Sequence, residues 1–404
     1  MHSAALRESL PESEFDLCIA KVDNLAMLNH QYGRSEVDAL LSTIGRRLKT
    51  RAGADNCIAY IGNGIYVSCL VAKSREQRRK EIDDCAALLR EESAIPNFVL
   101  KWSFYNQFPK ELSVEEAFNR AQYALSIIRL DSDDDYIEFD QTVIERMEWE
   151  HFVRESFDAA LEAGEFVPWY QPKFSTRTKA IVGAEALVRW VRPDGELIPP
   201  DRFVPILEGC GWISRLDRCI FRQVCALQKE LLERELPVMP ISVNLSRASI
   251  YSPELPADYE RIAREYGVDP RSVPLEITES TAVRLIDLQR FAQDLLSRGF
   301  ILHLDDFGTG FSSLSSLQLL PFNAIKLDKS LIDFVGMESG ESMLRHIISF
   351  ARESGKSVIA EGVENGEQFV FLKAYGCDAI QGYYFSRPLD RAHFLAMLSS
   401  QPVA

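Results

Sequence analysis

Ile301-Leu302-His303-Leu304-Asp305-Asp306 runs straight into Phe307-Gly308-Thr309-Gly310-Phe311-Ser312-Ser313-Leu314. An apolar run closes on two adjacent carboxylates and meets a glycine-bearing loop, an arrangement suited to holding divalent cations over a phosphate. Side chains alternate along a strand, so two neighbouring carboxylates share a cavity only where the strand is ending and the chain is turning. Taken alone, Asp-Asp before glycine is also an ordinary turn. Repetition separates the two readings, because residues 165–395 place a polar or charged residue at the end of one apolar run after another.

Eight such runs follow one another at 166–171, 180–188, 239–245, 273–277, 300–305, 323–328, 356–361 and 378–383. The 172–179 connection, with Pro172 and Lys173 at its start, is too short for a crossover helix, so the first two strands are expected to be antiparallel. Every other gap has room for a helix. Eight strands alternating with helices over about 240 residues predict a TIM-type (β/α)8 barrel with one reversed strand, the alternative being a doubly wound open sheet. Polar strand ends favour the barrel, whose active sites lie where its parallel strands finish. Upstream, strand-like runs at 17–19, 58–60, 66–70 and 98–104 mix with amphipathic helices, as in an α+β domain. Between the two, Gln141 to Ala163 carries apolar residues at helical spacing and reads as a connecting helix. The expected division is 1–135, a linker and helix at 136–163, and 164–404.

Composition narrows the function classes. The chain has 404 residues, 46% of them hydrophobic, which is enough for two or three cored domains. A formal charge of −15 argues against long nucleic acid bound through a basic surface. No apolar run reaches the roughly 18 residues of a membrane span, and the N-terminus lacks a signal-peptide core. Eight cysteines, Cys18, Cys57, Cys69, Cys85, Cys210, Cys219, Cys225 and Cys377, are scattered without a CxxC. Free thiols in a reducing cytoplasm are expected rather than a disulfide framework or a zinc site. The acidic run at 131–135 lacks the ligand spacing and glycine of a calcium loop and reads as solvated.

The strand ends form a set: Glu185, then Asn244, then Glu276 and Glu279, then Asp305 and Asp306, then Lys326 and Asp328, then Glu361 and Glu364, and finally Gln381. Each singly reads as a paired or solvated charge. Converging on one barrel mouth, the carboxylates repel and must either take protons or hold cations. Oxygen ligands with one amide suit Mg²⁺ or Mn²⁺ better than zinc. His303 shares a face with Asp305 and is expected to be a packed core residue. Two cations bridged by Asp305 would generate hydroxide near neutral pH, Lys326 would supply a fixed positive charge, and Arg189 is placed to meet a phosphate. The expected chemistry is metal-assisted phosphodiester hydrolysis.

Glu185-Ala186-Leu187, Asn244, Glu276-Ile277-Thr278-Glu279, Asp305-Asp306-Phe307-Gly308-Thr309-Gly310, Lys326-Leu327-Asp328, Ala360-Glu361-Gly362-Val363-Glu364 and Gln381-Gly382-Tyr383 occur in the order of the EAL-domain family of cyclic di-GMP phosphodiesterases, which residues 165–395 resemble throughout. The resemblance implies linearisation of cyclic di-GMP to 5′-pGpG with two Mg²⁺ or Mn²⁺ ions, and inhibition by Ca²⁺. It places Glu185, Asn244, Glu276, Asp305, Asp306 and Glu361 around the metals, with Lys326, Glu361 and Glu185 in catalysis. Leu187, Arg189, Asp328 and Gln381 would contact substrate, Glu279 would anchor the 306–314 loop, and Glu364 would support the site. Residues 1–135 resemble the GGDEF (diguanylate cyclase) domain, with Asp23, Asn29, Gly33 and Asp38 at family positions. Gly62-Asn63-Gly64-Ile65-Tyr66 stands where that family has its signature, so both acids are missing and the domain is expected to be degenerate. The inhibitory Arg-x-x-Asp site is replaced by Gly53 and Asn56. Nucleotide sensing with GTP, dimerisation and simple packing all remain open for this domain. A homodimer is expected from the family, and a receptor that binds cyclic di-GMP without turnover is the alternative to the enzyme.

Overall fold

The computed structural model describes residues 15–52, 57–109, 112–128, 135–278, 285–308 and 320–400. The chain divides into two compact units, Met1–Trp149 and Glu150–Ala404, and the helix Gln141–Ala163 runs across the division.

The first unit contains a five-stranded sheet of β1 (Phe15–Val22), β2 (Cys57–Gly62), β3 (Ile65–Val71), β4 (Leu100–Tyr105) and β5 (Tyr136–Glu138), in the order β2-β3-β1-β4-β5. Central β1 is apolar on both faces, and its period of two serves two cores. Cys18, Ala20 and Val22 join Leu28, Val37, Ile44, Ile82 and Leu89 on one side. Leu17 and Ile19 join Ala117, Ala121 and Leu125 of the helix Val114–Ile127 on the other. Strands β2 and β3 meet across Asn63-Gly64, both with positive φ (49° and 73°), the dipeptide that a tight hairpin favours.

The second unit is a closed barrel. Its nine strands are β6 (Phe166–Ser175), β7 (Ile181–Val191), β8 (Leu197–Ile198), β9 (Ile241–Leu245), β10 (Leu275–Thr278), β11 (Leu302–Phe307), β12 (Ala324–Leu327), β13 (Ser357–Ala360) and β14 (Ala379–Ile380). They run β6-β14-β13-β12-β11-β10-β9-β7, with β6 pairing back to β7, and the short β8 adds to the outer edge of β7. Strand β6 is antiparallel to both neighbours, and the other barrel pairs are parallel. This is the expected (β/α)8 barrel with one reversed strand. The helices cover it with 3.6-period faces. In Ile213–Glu233 the buried positions Ile213, Leu216, Ile220, Phe221, Val224, Leu227 and Leu231 form one stripe. Phe221 stacks at 4.0 Å on Tyr259 of the helix Leu255–Tyr266, and burying such a ring contributes about 2–3 kcal/mol. Alternation within the strands does the rest. Ile325 and Leu327 are buried on one face of β12, which leaves Lys326 to the other.

Several strand boundaries differ from the sequence reading: β7 runs on to Val191, β14 stops at Ile380 just before Gln381, and two further differences bear on the site. Strand β6 extends to Ser175, so Lys173 belongs to a strand rather than to the connection. Strand β11 continues through the aspartate pair to Phe307, with a register shift against β12 between Leu304 and Phe307. None of the eight cysteines forms a disulfide, and Cys18, Cys85, Cys225 and Cys377 are buried. Among the described residues, no helix is long and apolar enough to cross a membrane.

Candidate active site

The β11 irregularity brings the two aspartates together. In a regular strand Asp305 and Asp306 would point to opposite faces. Here Asp306 takes φ = +53°, the left-handed region that aspartate tolerates better than most residues, and its N–H donates to Asp305 Oδ1 at 2.9 Å. A bulge of this kind re-aims a side chain without ending the strand. One oxygen from each of Glu185, Glu276 and Asp305 then lies within 4.8 Å of the others, as does one from each of Asp305, Asp306 and Glu361. Asp305 belongs to both groups.

Lys326, 1% exposed, sits among these acids. Its Nζ lies 3.2 Å from Glu185 Oε2, 2.5 Å from Glu276 Oε2, 3.0 Å from Asp305 Oδ1 and 2.7 Å from Glu361 Oε1. Gln381 Nε2 donates to Glu185 Oε2 at 2.7 Å. Asn244 Nδ2 donates to Glu185 Oε1 at 2.8 Å, which leaves the amide oxygen of this exposed residue for a cation. Thus Glu185, Asn244, Glu276, Asp305, Asp306, Lys326, Glu361 and Gln381 meet in one place.

The other candidates sit differently. Leu187 and Arg189 follow Glu185 at alternate positions of β7. Arg189 is half-buried, donates to the Val188 carbonyl and lies 5.9 Å from the centre of the Trp169 ring. Asp328 caps the short helix Lys329–Ile332 by accepting from Ser330 N at 2.8 Å. Glu364 pairs with Lys329 at 3.3 Å and stays half-exposed. Glu279 lies outside the described residues, as does most of the loop after Gly308. His303 Nδ1 stands 3.5 Å from Glu276 Oε1, and burial, only partly opposed by Glu276, lowers its pKa, as suits a packed neutral ring.

Two residues of the site escaped the sequence reading. Lys173 Nζ donates to Glu276 Oε1 at 2.8 Å and to Ser242 Oγ at 2.7 Å. Gln171, directly opposite Glu185 in the β6–β7 register, accepts from Gln381 Nε2 at 3.0 Å. The available signal was the alternation of Gln171 and Lys173 along β6, obscured by Pro172 and the turn-forming residues that follow.

Charge is out of balance here. Among the described residues, five carboxylates (Glu185, Glu276, Asp305, Asp306, Glu361) face two ammonium groups (Lys173, Lys326). Burial, reinforced by the neighbouring acids, raises the pKa of Glu185, Asp305 and Asp306 and pushes Glu361 up to about 8. Glu276, fully buried, is the exception. Burial pushes it up too, but Lys173 and Lys326 together hold it well below the carboxylate range. Burial opposes the charge on Lys326, and the surrounding acids raise its pKa well above the usual lysine value. A site with excess negative charge, built from hard oxygen donors in two groups sharing one carboxylate, fits a pair of small divalent cations.

Residues 154–388 match the EAL domain family. The chain belongs to that family. An uncharacterised signalling protein of Caulobacter vibrioides is 31% identical over 399 residues, covering 94% of this chain and 48% of the relative. The chain spans about half the length of several curated relatives that it matches. The PaMucR phosphodiesterase in complex with c-di-GMP superposes with a TM-score of 0.57 at 31% identity, covering 60% of this chain and 99% of that one. The S helix-GGDEF-EAL portion of Vibrio cholerae LapD, at 19% identity and a TM-score of 0.63, covers 95% of this chain and 92% of its own. It extends the fold likeness across both units, a GGDEF-like domain followed by an EAL barrel.

Proposed function

We propose that this EAL-family protein hydrolyses cyclic di-GMP to 5′-pGpG at a site for two divalent cations, Mg²⁺ or Mn²⁺. The observation that carries the reading is the pair of acid groups sharing Asp305, because a bridged two-cation site needs one carboxylate common to both halves. Glu185, Asn244, Glu276, Asp305, Asp306 and Glu361 would hold the cations. Such ions, when bound, polarise a phosphoryl oxygen and acidify a shared water. Lys326, already desolvated and central, offers positive charge where the attacking oxygen and the phosphate gain negative charge. Gln381 donates to Glu185 and is itself held by Gln171, while Leu187 and Arg189, further along β7, are assigned to substrate. The PaMucR phosphodiesterase in complex with c-di-GMP supports this choice of substrate.

The GGDEF-like domain is assigned a regulatory role without cyclase activity. Its Asn63-Gly64 turn carries no carboxylate, and Asp23 is paired at 3.0 Å with both Lys21 and Lys101.

The deciding experiment incubates purified protein with cyclic di-GMP and Mg²⁺ or Mn²⁺ and separates the products by chromatography. Formation of pGpG is expected. Binding without product in either ion would leave a receptor instead of an enzyme. Added Ca²⁺ is expected to lower the initial rate in Mg²⁺, since the larger ion accepts irregular coordination and acidifies water poorly. An unchanged rate at saturating Ca²⁺ would count against the cation assignment.

A further inference from the structure

The two oxygens of Glu276 have different surroundings. Oε2 faces Lys326, which also touches Glu185 and Asp305, so this oxygen is on the side of the acid cluster. Oε1 accepts instead from Lys173 at 2.8 Å, with His303 Nδ1 3.5 Å from the same atom. Lys173 is itself held. It is 4% exposed, it lies on the reversed strand, and its Nζ is 2.7 Å from Ser242 Oγ, which in turn donates to the Ala184 carbonyl at 3.2 Å. Gly183, opposite Lys173 in the β6–β7 register, has no side chain, and a Cβ there would lie 2.9 Å from the Pro240 carbonyl oxygen and 4.0 Å from Lys173 Cδ. The lysine is a fixed clamp on one carboxylate oxygen.

Cation choice depends on how many oxygens a carboxylate can present. Mg²⁺ requires near-octahedral geometry with single oxygens at short distance, whereas Ca²⁺ takes six to eight oxygens and readily uses both from one carboxylate. We propose that Lys173 is a positioning residue that confines Glu276 to coordination through one oxygen and thereby sets the preference of the site for a small octahedral cation over Ca²⁺. The proposal rests on the two-cation reading above and adds a residue that this reading does not use.

Calorimetric titration of the metal-stripped 404-residue chain with MgCl₂ and with CaCl₂ tests it without recourse to turnover. Heat of binding in the unaltered protein checks the cation site itself, and absence of binding by either ion would remove that reading and the proposal with it. Lys173→Met then separates clamp from charge. Loss of a positive charge alone would tighten both ions by the same factor, leaving their ratio unchanged. Release of Oε1 would favour Ca²⁺ selectively, and the ratio of Ca²⁺ to Mg²⁺ affinity is expected to rise about tenfold. Ser242→Ala keeps the charge but removes the hydroxyl that fixes Nζ, and a rise of about threefold in the same direction is expected. This milder variant carries the test if Lys173→Met does not fold. A ratio within about twofold of the unaltered protein in every folded variant would overturn the proposal.

Discussion

Asp23 and Asp305 are both aspartates at the end of a strand, one in each unit, and their surroundings are opposite in sign. Asp23, just past β1, has Lys21 and Lys101 each at 3.0 Å, and although burial pushes its carboxyl up, the two ammonium groups hold it below the usual range. Asp305, near the end of β11, has one lysine at 3.0 Å, shared with Glu185, Glu276 and Glu361, and burial raises its pKa. The first carboxylate already has more positive charge than it needs. The second belongs to a cluster that is short of it. The comparison shows that capacity for a divalent cation depends on the local count of acids against lysines, not on the aspartate alone.

The largest effect should come from removing an acid on the deficient side. Asp305→Ala or Glu185→Ala is expected to reduce hydrolysis of cyclic di-GMP by more than about 100-fold, because either change removes several kcal/mol of cation-based stabilisation. The fold should persist, since one carboxylate fewer relieves repulsion in the cluster. Initial rates and circular dichroism check the two halves of this expectation. Near-normal turnover by either variant would mean that the acid excess is not the working feature of the barrel.

Lys326→Ala changes the balance from the other direction. Taking away the ammonium group leaves the carboxylates more in need of cations, so Mg²⁺ binding should be kept or strengthened while kcat falls roughly 10- to 100-fold. Binding of cyclic di-GMP should survive, because the charge is assigned to the transition state. Metal titration beside kinetics separates these effects. Parallel losses in nucleotide binding and turnover would instead make Lys326 a substrate-holding residue.

The sequence revealed much of this site and left out specific parts for physical reasons. Glu185, Glu276, Lys326 and Gln381 were legible because strand alternation and barrel topology bring strand ends to one mouth. Asp306 depended on a left-handed backbone angle and a bulge, which the Asp-Asp-Phe-Gly sequence allows but does not demand. Lys173 was read as connection because Pro172 precedes it and Ser175-Thr176-Arg177-Thr178 follows with turn-forming residues, yet it is a buried strand residue. Asp328 directly follows β12, whereas Glu364 lies beyond the end of β13, and their described side-chain partners are Ser330 and Lys329, contacts set by a helix cap and a surface pair that no strand periodicity encodes. The barrel itself was legible throughout, because eight apolar runs with one short gap and otherwise helix-sized gaps leave few other closed arrangements.

A third acid, half-buried, sharpens the contrast between Asp23 and Asp305. Asp217, on the helix Ile213–Glu233, accepts from Ser246 N at 3.0 Å and Ser249 Oγ at 2.8 Å. Burial outweighs these neutral donors and pushes its carboxyl up to about 6, from 3.8. Between these two pH values the unfolded chain releases the proton while the folded chain keeps it, so this group's contribution to stability falls as pH rises through the window and is level above it. Asp217→Asn cannot ionise and should lack this dependence. The melting temperature of the unaltered protein relative to the variant is expected to fall by about 5 °C between pH 4 and pH 7. A difference that stays constant with pH would show that hydrogen bonds, not burial, control this acid.

The smallest expected effect is none at all, and it bears directly on the cation-rich side of the comparison. Labelled GTP incubated with the full chain should give no cyclic di-GMP in Mg²⁺ or in Mn²⁺. Asn63 lies in the tight turn and Ile65 begins β3, so the positions resembling the cyclase signature offer neither of its two acids. The nearby strand-end acid, Asp23, is already neutralised by Lys21 and Lys101, and a divalent cation would have to displace two ammonium groups to reach it. A neutral amide and an alkyl side chain cannot replace carboxylates in that competition. The same reasoning predicts that Lys21→Met and Lys101→Met, alone or together, also fail to produce cyclase activity, because freeing one acid restores one ligand of the several that such an ion needs. Product from the unaltered chain would break the comparison outright. Product from the lysine variants alone would show that charge balance, and not the missing acids, is what silences the domain.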